Sequence, residues 1–282
     1  MRKNIYDILN SKLDIKTNYN QLYEQFFTIQ EILIYGNRYS INQIADETFN
    51  NFSKEFKKRC ITLSSFNKIY GFDFPTYKNS NDINTLISFS EYIINICNQL
   101  NQIKDSTKFD NYILKKYLID IVKNTIECMD ECNYEMIEKD KIYIFVEKKA
   151  EAFAVAEIVD DELTYPILEY NHHSMKGDLI RKKETLIKMA DNIEPDRKKL
   201  ENLHHKYIDQ LFNLLNKYIR HNSTTNEYIS SLTDHDRETI YDDIYQMWLL
   251  AKLQLDNIAR SKRMSNILLK TNANAVNIVN IK

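Results

Sequence analysis

Glycine and proline are almost missing from this chain: three of each in 282 residues. Strand-rich folds place those residues at their many turns, so the shortage excludes a β-sandwich or barrel and predicts long helices joined by few tight turns. No run of eighteen apolar residues occurs, so no transmembrane helix is expected, and no membrane partner. The opening "MRKNIYDILNSKLDIKTNYN" has no apolar signal core and no small-residue cleavage site, which makes the cytoplasm the expected location. No charge dominates: 38 Lys and Arg face 40 Asp and Glu, a formal net charge of −2. A uniformly basic nucleic-acid coat is thereby excluded, although a local basic patch is not. The four cysteines, Cys60, Cys97, Cys128 and Cys132, stand in apolar, helix-like contexts without finger-type spacing of further ligands. They read as buried reduced thiols.

What the chain does have is aromatic area, 19 Tyr and 13 Phe, and apolar stripes that recur every three or four residues. The expected fold is mostly α. A helical N-terminal region covers 1–137, an acidic strand-containing insert 138–170, an antiparallel helical bundle 171–270 and a flexible tail 271–282. In the first region one helix is predicted from about Asn18 to Tyr35. A second runs from Ser40 to the mid-60s with Ile41, Ile44, Ala45, Phe49, Phe52 and Phe56 on one face. After a loop at 70–82, helices follow from Ile83 to Gln102 and from Phe109 to about Cys132. In the insert, "KIYIFVEKK" reads as a strand. "AEAFAVAEIV" admits helix or strand, and "LTYPILEYN" a second strand or an extended return. From Glu127 to Tyr170 thirteen acidic residues face four basic ones, the one strongly acidic segment.

The bundle begins with a helix from about Ser174 or Asp178 to Asn192. Pro195 then opens a helix whose stripe is Leu200, Leu203, Tyr207, Leu211, Leu214 and Tyr218, ending near His221. Thr233 reads as the N-cap of a last, long helix carrying Ile240, Ile244, Met247, Trp248, Ala251, Leu255 and Ile258, with Arg260, Lys262 and Arg263 near its end.

All six histidines fall between 172 and 235, so chemistry is sought there. Glu201 with His204 or His205 supplies one helical metal-ligand pair. A di-metal bundle needs that motif twice, with further glutamates, so no metal is expected. Asp140 followed by Glu147-Lys148-Lys149 has the form of a metal-nuclease motif, but that site requires a multistranded mixed sheet. No cofactor is implied.

The stretch "LLNKYIRHNSTTNEY" is more informative. It ends a helix on Arg220, His221 and Asn222. A cation suits the partial negative charge of a helix C-terminus. The same trio also suits RNA cleavage without metal. The imidazole would take the proton of a ribose 2′-hydroxyl, and the guanidinium would steady the charged phosphorane. The stretch resembles the HEPN superfamily, helical-bundle proteins of toxin–antitoxin, abortive-infection and CRISPR systems. Its members carry an Arg-(four to six residues)-His pattern near a helix end, usually with a polar residue directly after the Arg. Arg220-His221 matches that last feature. At the spacing of the family histidine this chain has Thr225, Asn226 and Glu227, while Arg197 and His204 satisfy a six-residue gap. The resemblance covers about the last hundred residues. It implies a metal-independent endoribonuclease or RNA-binding effector of prokaryotic defence, with RNA as partner and two chains pairing.

A second stretch, "ILEYNHHSMKGDLIRKKETL", places His172, His173, Lys176 and Arg181 around a helix start, where free N–H groups favour anions. A phosphate-binding groove between this helix start and the helix end at Arg220 is expected, with Arg197 and His204 contributing. The alternative is a non-catalytic helical adapter or sensor that holds a protein partner through its aromatic faces and acidic insert.

Overall fold

The protein is described by a computed structural model covering residues 14–30, 32–34, 37–103, 112–220, 229 and 231–279. It is mostly α. Contacts divide it into two compact units, Met1–Glu147 and Lys148–Lys282. The division falls inside the 138–170 segment, leaving its hairpin in the first unit and its helices in the second.

In the N-terminal unit, α1 (Ile15–Phe27) is capped by Asp14, which accepts the Thr17 N–H at 2.7 Å. It ends earlier than its apolar spacing suggests. A short hairpin follows instead, β1 (Ile32–Ile34) against β2 (Asn37–Tyr39), because the β-branched run after Thr28 fits a strand better than a further helical turn. The single helix expected from Ser40 is likewise broken, into α2 (Ile41–Thr48), α3 (Lys54–Lys57) and α4 (Leu63–Tyr70). Ser53 and Thr62 start new helices by capping the N–H groups of Phe56 and Ser65. Gly71 closes α4 in the left-handed conformation (φ 74°) that its missing side chain permits. The long helices α5 (Ile83–Gln102) and α6 (Tyr112–Glu131) lie where the stripes place them.

Phe89 of α5 anchors the core. Its ring lies 4.7 Å from Phe74 and 4.9 Å from Tyr19 between centroids, and the Tyr19 hydroxyl donates to the Phe74 carbonyl at 2.8 Å. Cys60, Cys97 and Cys128 are buried and none of the four cysteines is in a disulfide, with burial pushing the Cys97 thiol well up.

β3 (Tyr134–Lys139) and β4 (Ile142–Glu147) form the second hairpin. The strand expected at "KIYIFVEKK" is β4, and its partner precedes it rather than follows. Asp140 and Lys141 both take positive φ, 53° and 64°, as a two-residue hairpin turn demands. The free edge of β4 is covered by side chains of α5. Asn95 donates to the Tyr143 carbonyl at 2.7 Å and accepts its N–H at 3.0 Å, while Glu91 accepts the Phe145 N–H at 2.8 Å. An unpaired strand edge invites pairing with another chain, and these contacts occupy it. Asn95→Ala is expected to destabilise the unit by about 2 kcal/mol, because two half-buried backbone groups lose their partner. Urea unfolding followed by circular dichroism measures it, and Asn95→Gln should recover only part.

In the C-terminal unit, α7 (Ala150–Ala156) and α8 (Asp161–Glu169) replace the second strand that the insert leaves open. Alanine favours helix, and the buried pairs Ala152/Val155 and Leu163/Ile167 recur at helical spacing. α9 (Leu179–Ile193), α10 (Arg197–Leu214) and α11 (Asp234–Val279) complete the unit, and α11 carries its helical backbone well into the segment expected to be a flexible tail. Trp248 of α11 is fully buried, and its indole N–H donates to the Met189 carbonyl of α9 at 2.6 Å.

α10 departs from a regular helix twice. His204 has extended dihedrals, φ −146° and ψ 70°, and the last turn, Leu215–Arg220, is π-helical. The break at His204 rotates the residues that follow it relative to the core. Beyond it the buried positions are Ile208, Leu211, Phe212, Leu215 and Ile219, while before it Leu200 is buried and Leu203, expected inside, is 42% exposed. No helix among the described residues is long and apolar enough to cross a membrane.

Candidate functional site

The polar residues of the C-terminal unit gather at the two ends of α9. At its N-terminal end, a 3₁₀ turn (His173–Met175) and Gly177, with φ 78°, lead from α8 into α9. Asp178 caps the helix by accepting the Arg181 N–H at 3.0 Å. α11 presents Glu238, Asp242 and Tyr245 to this joint at helical spacing. The ammonium of Lys182, whose side chain is 5% exposed, sits 2.8 Å from Glu238 and 2.7 Å from Asp242. Glu238 also accepts the Gly177 N–H at 2.7 Å, and Asp242 accepts the Tyr170 hydroxyl at 2.9 Å. Tyr170 stacks on Tyr245 with centroids 4.1 Å apart, and the Tyr245 hydroxyl donates to the Ile167 carbonyl at 2.8 Å.

The electrostatics follow from these contacts. The Gly177 N–H, and then Lys182, hold the Glu238 carboxyl below the ordinary glutamate range. Burial, and then the nearby Asp242 carboxylate, push the Tyr170 phenol well up. A carboxyl driven down and a phenol driven up both move away from neutrality, so this cluster is arranged to hold the joint rather than to shuttle protons near pH 7. The Glu238 contribution to stability is present in full above the ordinary glutamate value of 4.5 and is lost as pH falls through its lowered folded-state value. Glu238→Gln should therefore flatten the loss of stability on going from pH 6 to pH 3, as read from urea midpoints. An acid limb as steep as that of the wild type would contradict the assignment.

His172, His173, Lys176 and Arg181 surround the same joint. The His172 Nδ1 accepts the Ser174 N–H at 3.2 Å and lies 2.7 Å from the Ser174 hydroxyl, and the His172 and His173 rings are 4.4 Å apart. Arg181 spans from Ser174 (3.1 Å) to Glu169 at the end of α8 (2.7 Å). Lys176 is exposed beside Glu238.

At the C-terminal end of α9 lies Arg220. One guanidinium nitrogen donates to Glu194 at 2.6 Å and Asn216 at 3.2 Å, and the other to the Ala190 carbonyl at 3.1 Å and Asp191 at 3.5 Å. A helix C-terminus repels carboxylates, and here it carries two, so Arg220 offsets both as well as a terminal carbonyl. The cation thus serves the end of the neighbouring helix rather than its own. His221 and Asn222 lie outside the described residues, as do Thr225, Asn226 and Glu227.

The two clusters stand at opposite ends of the fifteen-residue α9, about 20 Å apart at 1.5 Å per residue. Among the described residues, the helix-start cluster and Arg220 are therefore not brought together. Arg197 and His204 are also apart, about two turns along α10. Arg197 pairs with Glu201 at 2.8 Å and lies 4.7 Å from the Phe212 ring, while His204 is exposed at the break in the helix.

Lys182 is legible in the sequence as one of the cations crowding the start of α9, but its burial and its partners Glu238 and Asp242 were missed. A signal was available: Lys182 continues the buried stripe of Leu186, Met189 and Ile193, and a lysine in that register needs acidic partners. Glu238 and Asp242, four apart on the facing helix, meet that need. Compared with protein-family models, curated proteins and solved structures, the chain has no match.

Proposed function

We propose that the protein is a HEPN-like effector of prokaryotic defence that binds and cleaves RNA without a metal, with Arg220, His221 and Asn222 at its centre. The observation that carries this reading is the way Arg220 is held. It closes a π-helical turn, an irregularity frequent at functional sites, and its guanidinium is fixed by four contacts immediately before His221 and Asn222. A fixed guanidinium suits a developing phosphorane, because it needs no reorganisation when charge appears. The Asp191 contact, the longest of the four, is the one a phosphate oxygen would replace. His221 takes the base role, since Thr225, Asn226 and Glu227 stand where the family histidine falls, and Asn222 supplies an amide donor.

The test is cleavage of several RNAs in EDTA by the purified protein, beside Arg220→Ala and His221→Ala variants whose helicity is checked by circular dichroism. Cleavage that survives chelation and drops at least about a hundredfold in both variants supports the reading, the loss expected of a general base and a charge-stabilising donor. Cleavage that needs added metal, or that both folded variants retain, overturns it.

A second reading, a non-catalytic helical adapter for a protein partner, is favoured by α11. Every residue from Ala259 to Lys270 is exposed there, Met264 and Leu269 among them. A folded wild type that cleaves no RNA moves the function to this reading.

A further inference from the structure

A shallow, open groove of about 490 Å³ runs along one face of α10 and its π-helical end. Leu214 and Tyr218, two residues of the expected core stripe, are half-buried and line its wall. Lys206 and Lys217 stand at its two ends, eleven residues and about 16 Å apart. The Lys217 ammonium lies 5.4 Å from the centre of the Tyr218 ring. Between the lysines, Gln210 and Asn213 offer exposed amides. The one carboxylate among the described lining residues, Asp209, is engaged by His205 at 2.9 Å.

We propose that this groove binds a short single strand of RNA. The inference rests on the RNA reading above and adds to it the place where the strand lies. Two cations spaced along a groove track a backbone of phosphates, an aromatic ring beside one of them stacks a base, and amides pair with base edges. The bases of a duplex are already stacked and turned inward, so this combination favours an unpaired strand. Arg220, two residues beyond Tyr218, then lies next to the end of the bound segment in the sequence.

Binding is measured by fluorescence anisotropy of a labelled 2′-O-methyl oligouridylate, which lacks the attacking hydroxyl and so separates binding from cleavage. Two phosphate contacts predict a log–log salt slope of about −1.4. Lys206→Ala/Lys217→Ala should weaken binding at least about tenfold and reduce the slope towards zero. Tyr218→Ala should weaken it about tenfold and Tyr218→Trp should retain it, as stacking requires. Lys270→Ala, on exposed α11, is the control and should bind as wild type. Because Lys206 is exposed and its removal spares the core, the lysine variant keeps the test decisive should Tyr218→Ala unfold. Affinity unchanged in the double lysine variant, no binding by wild type, or equal binding of a matching duplex overturns the groove assignment. Failure of the two readings is distinguishable. Groove-dependent binding without any cleavage leaves the groove and removes the nuclease, whereas cleavage with unaltered KM in the groove variants does the reverse.

Discussion

Replacing Lys182 by alanine is expected to destabilise the C-terminal unit by about 3 kcal/mol, seen as a lower urea midpoint with unchanged slope. The size follows from what is left behind. Glu238 would keep the Gly177 N–H and the exposed Lys176 nearby, but Asp242 would keep only the Tyr170 hydroxyl, and the buried cation that both carboxylates share would be gone. Removing one partner of a buried pair typically costs about 3–5 kcal/mol, and the partial exposure of Asp242, 49%, places this case at the low end. The pair does not imply that the charges stabilise the fold relative to an apolar alternative. Adding Asp242→Asn and Glu238→Gln to Lys182→Ala should recover part of the loss, since a neutral trio carries no uncompensated charge. A single Lys182→Ala within about 0.5 kcal/mol of wild type would show the joint to be held by Tyr170–Tyr245 stacking instead.

Trp248→Ala should cost more, about 4 kcal/mol, the range for emptying a large aromatic site in a core. Trp248 is fully buried, and its indole joins α11 to α9 through the Met189 carbonyl. Trp248→Phe separates the two contributions. It keeps most of the apolar volume and loses the hydrogen bond, so it should cost about 1–2 kcal/mol. Loss of the tyrosine near-ultraviolet dichroism without loss of helicity in Trp248→Ala would mark a unit that keeps its helices but not their packing. A near-neutral Trp248→Ala would contradict the core assignment.

How much of this was legible in the sequence depends on the element. α5, α6 and the start of α11 follow from stripes and caps alone, because long regular helices express their packing as period. The Ser40 helix failed for a local reason. Its stripe continues through Phe56, but Ser53 and Thr62 each supply a cap that periodicity does not weigh. α10 failed for a different one. The break at His204 and the π-helical turn at 215–220 carry no proline or glycine to announce them, so period alone carries the stripe straight through and puts Leu214 and Tyr218 in the core. The groove on α10 begins at that break, and period does not show it for the same reason. At the candidate site, the type of chemistry was readable from Arg220-His221-Asn222. The contacts of Arg220 with Ala190, Asp191 and Glu194 were not, since they join residues some thirty positions apart. The separation of the two cationic clusters by the length of α9 was hidden likewise.

The central claim, RNA cleavage by attack of the 2′-hydroxyl at Arg220-His221-Asn222, is tested most directly by the ends of the fragments that purified wild type makes in EDTA. The account predicts 2′,3′-cyclic phosphate and 5′-hydroxyl ends, absent from digests with His221→Ala. Fragments bearing 5′-phosphate and 3′-hydroxyl ends, or cleavage that His221→Ala leaves intact, would contradict it.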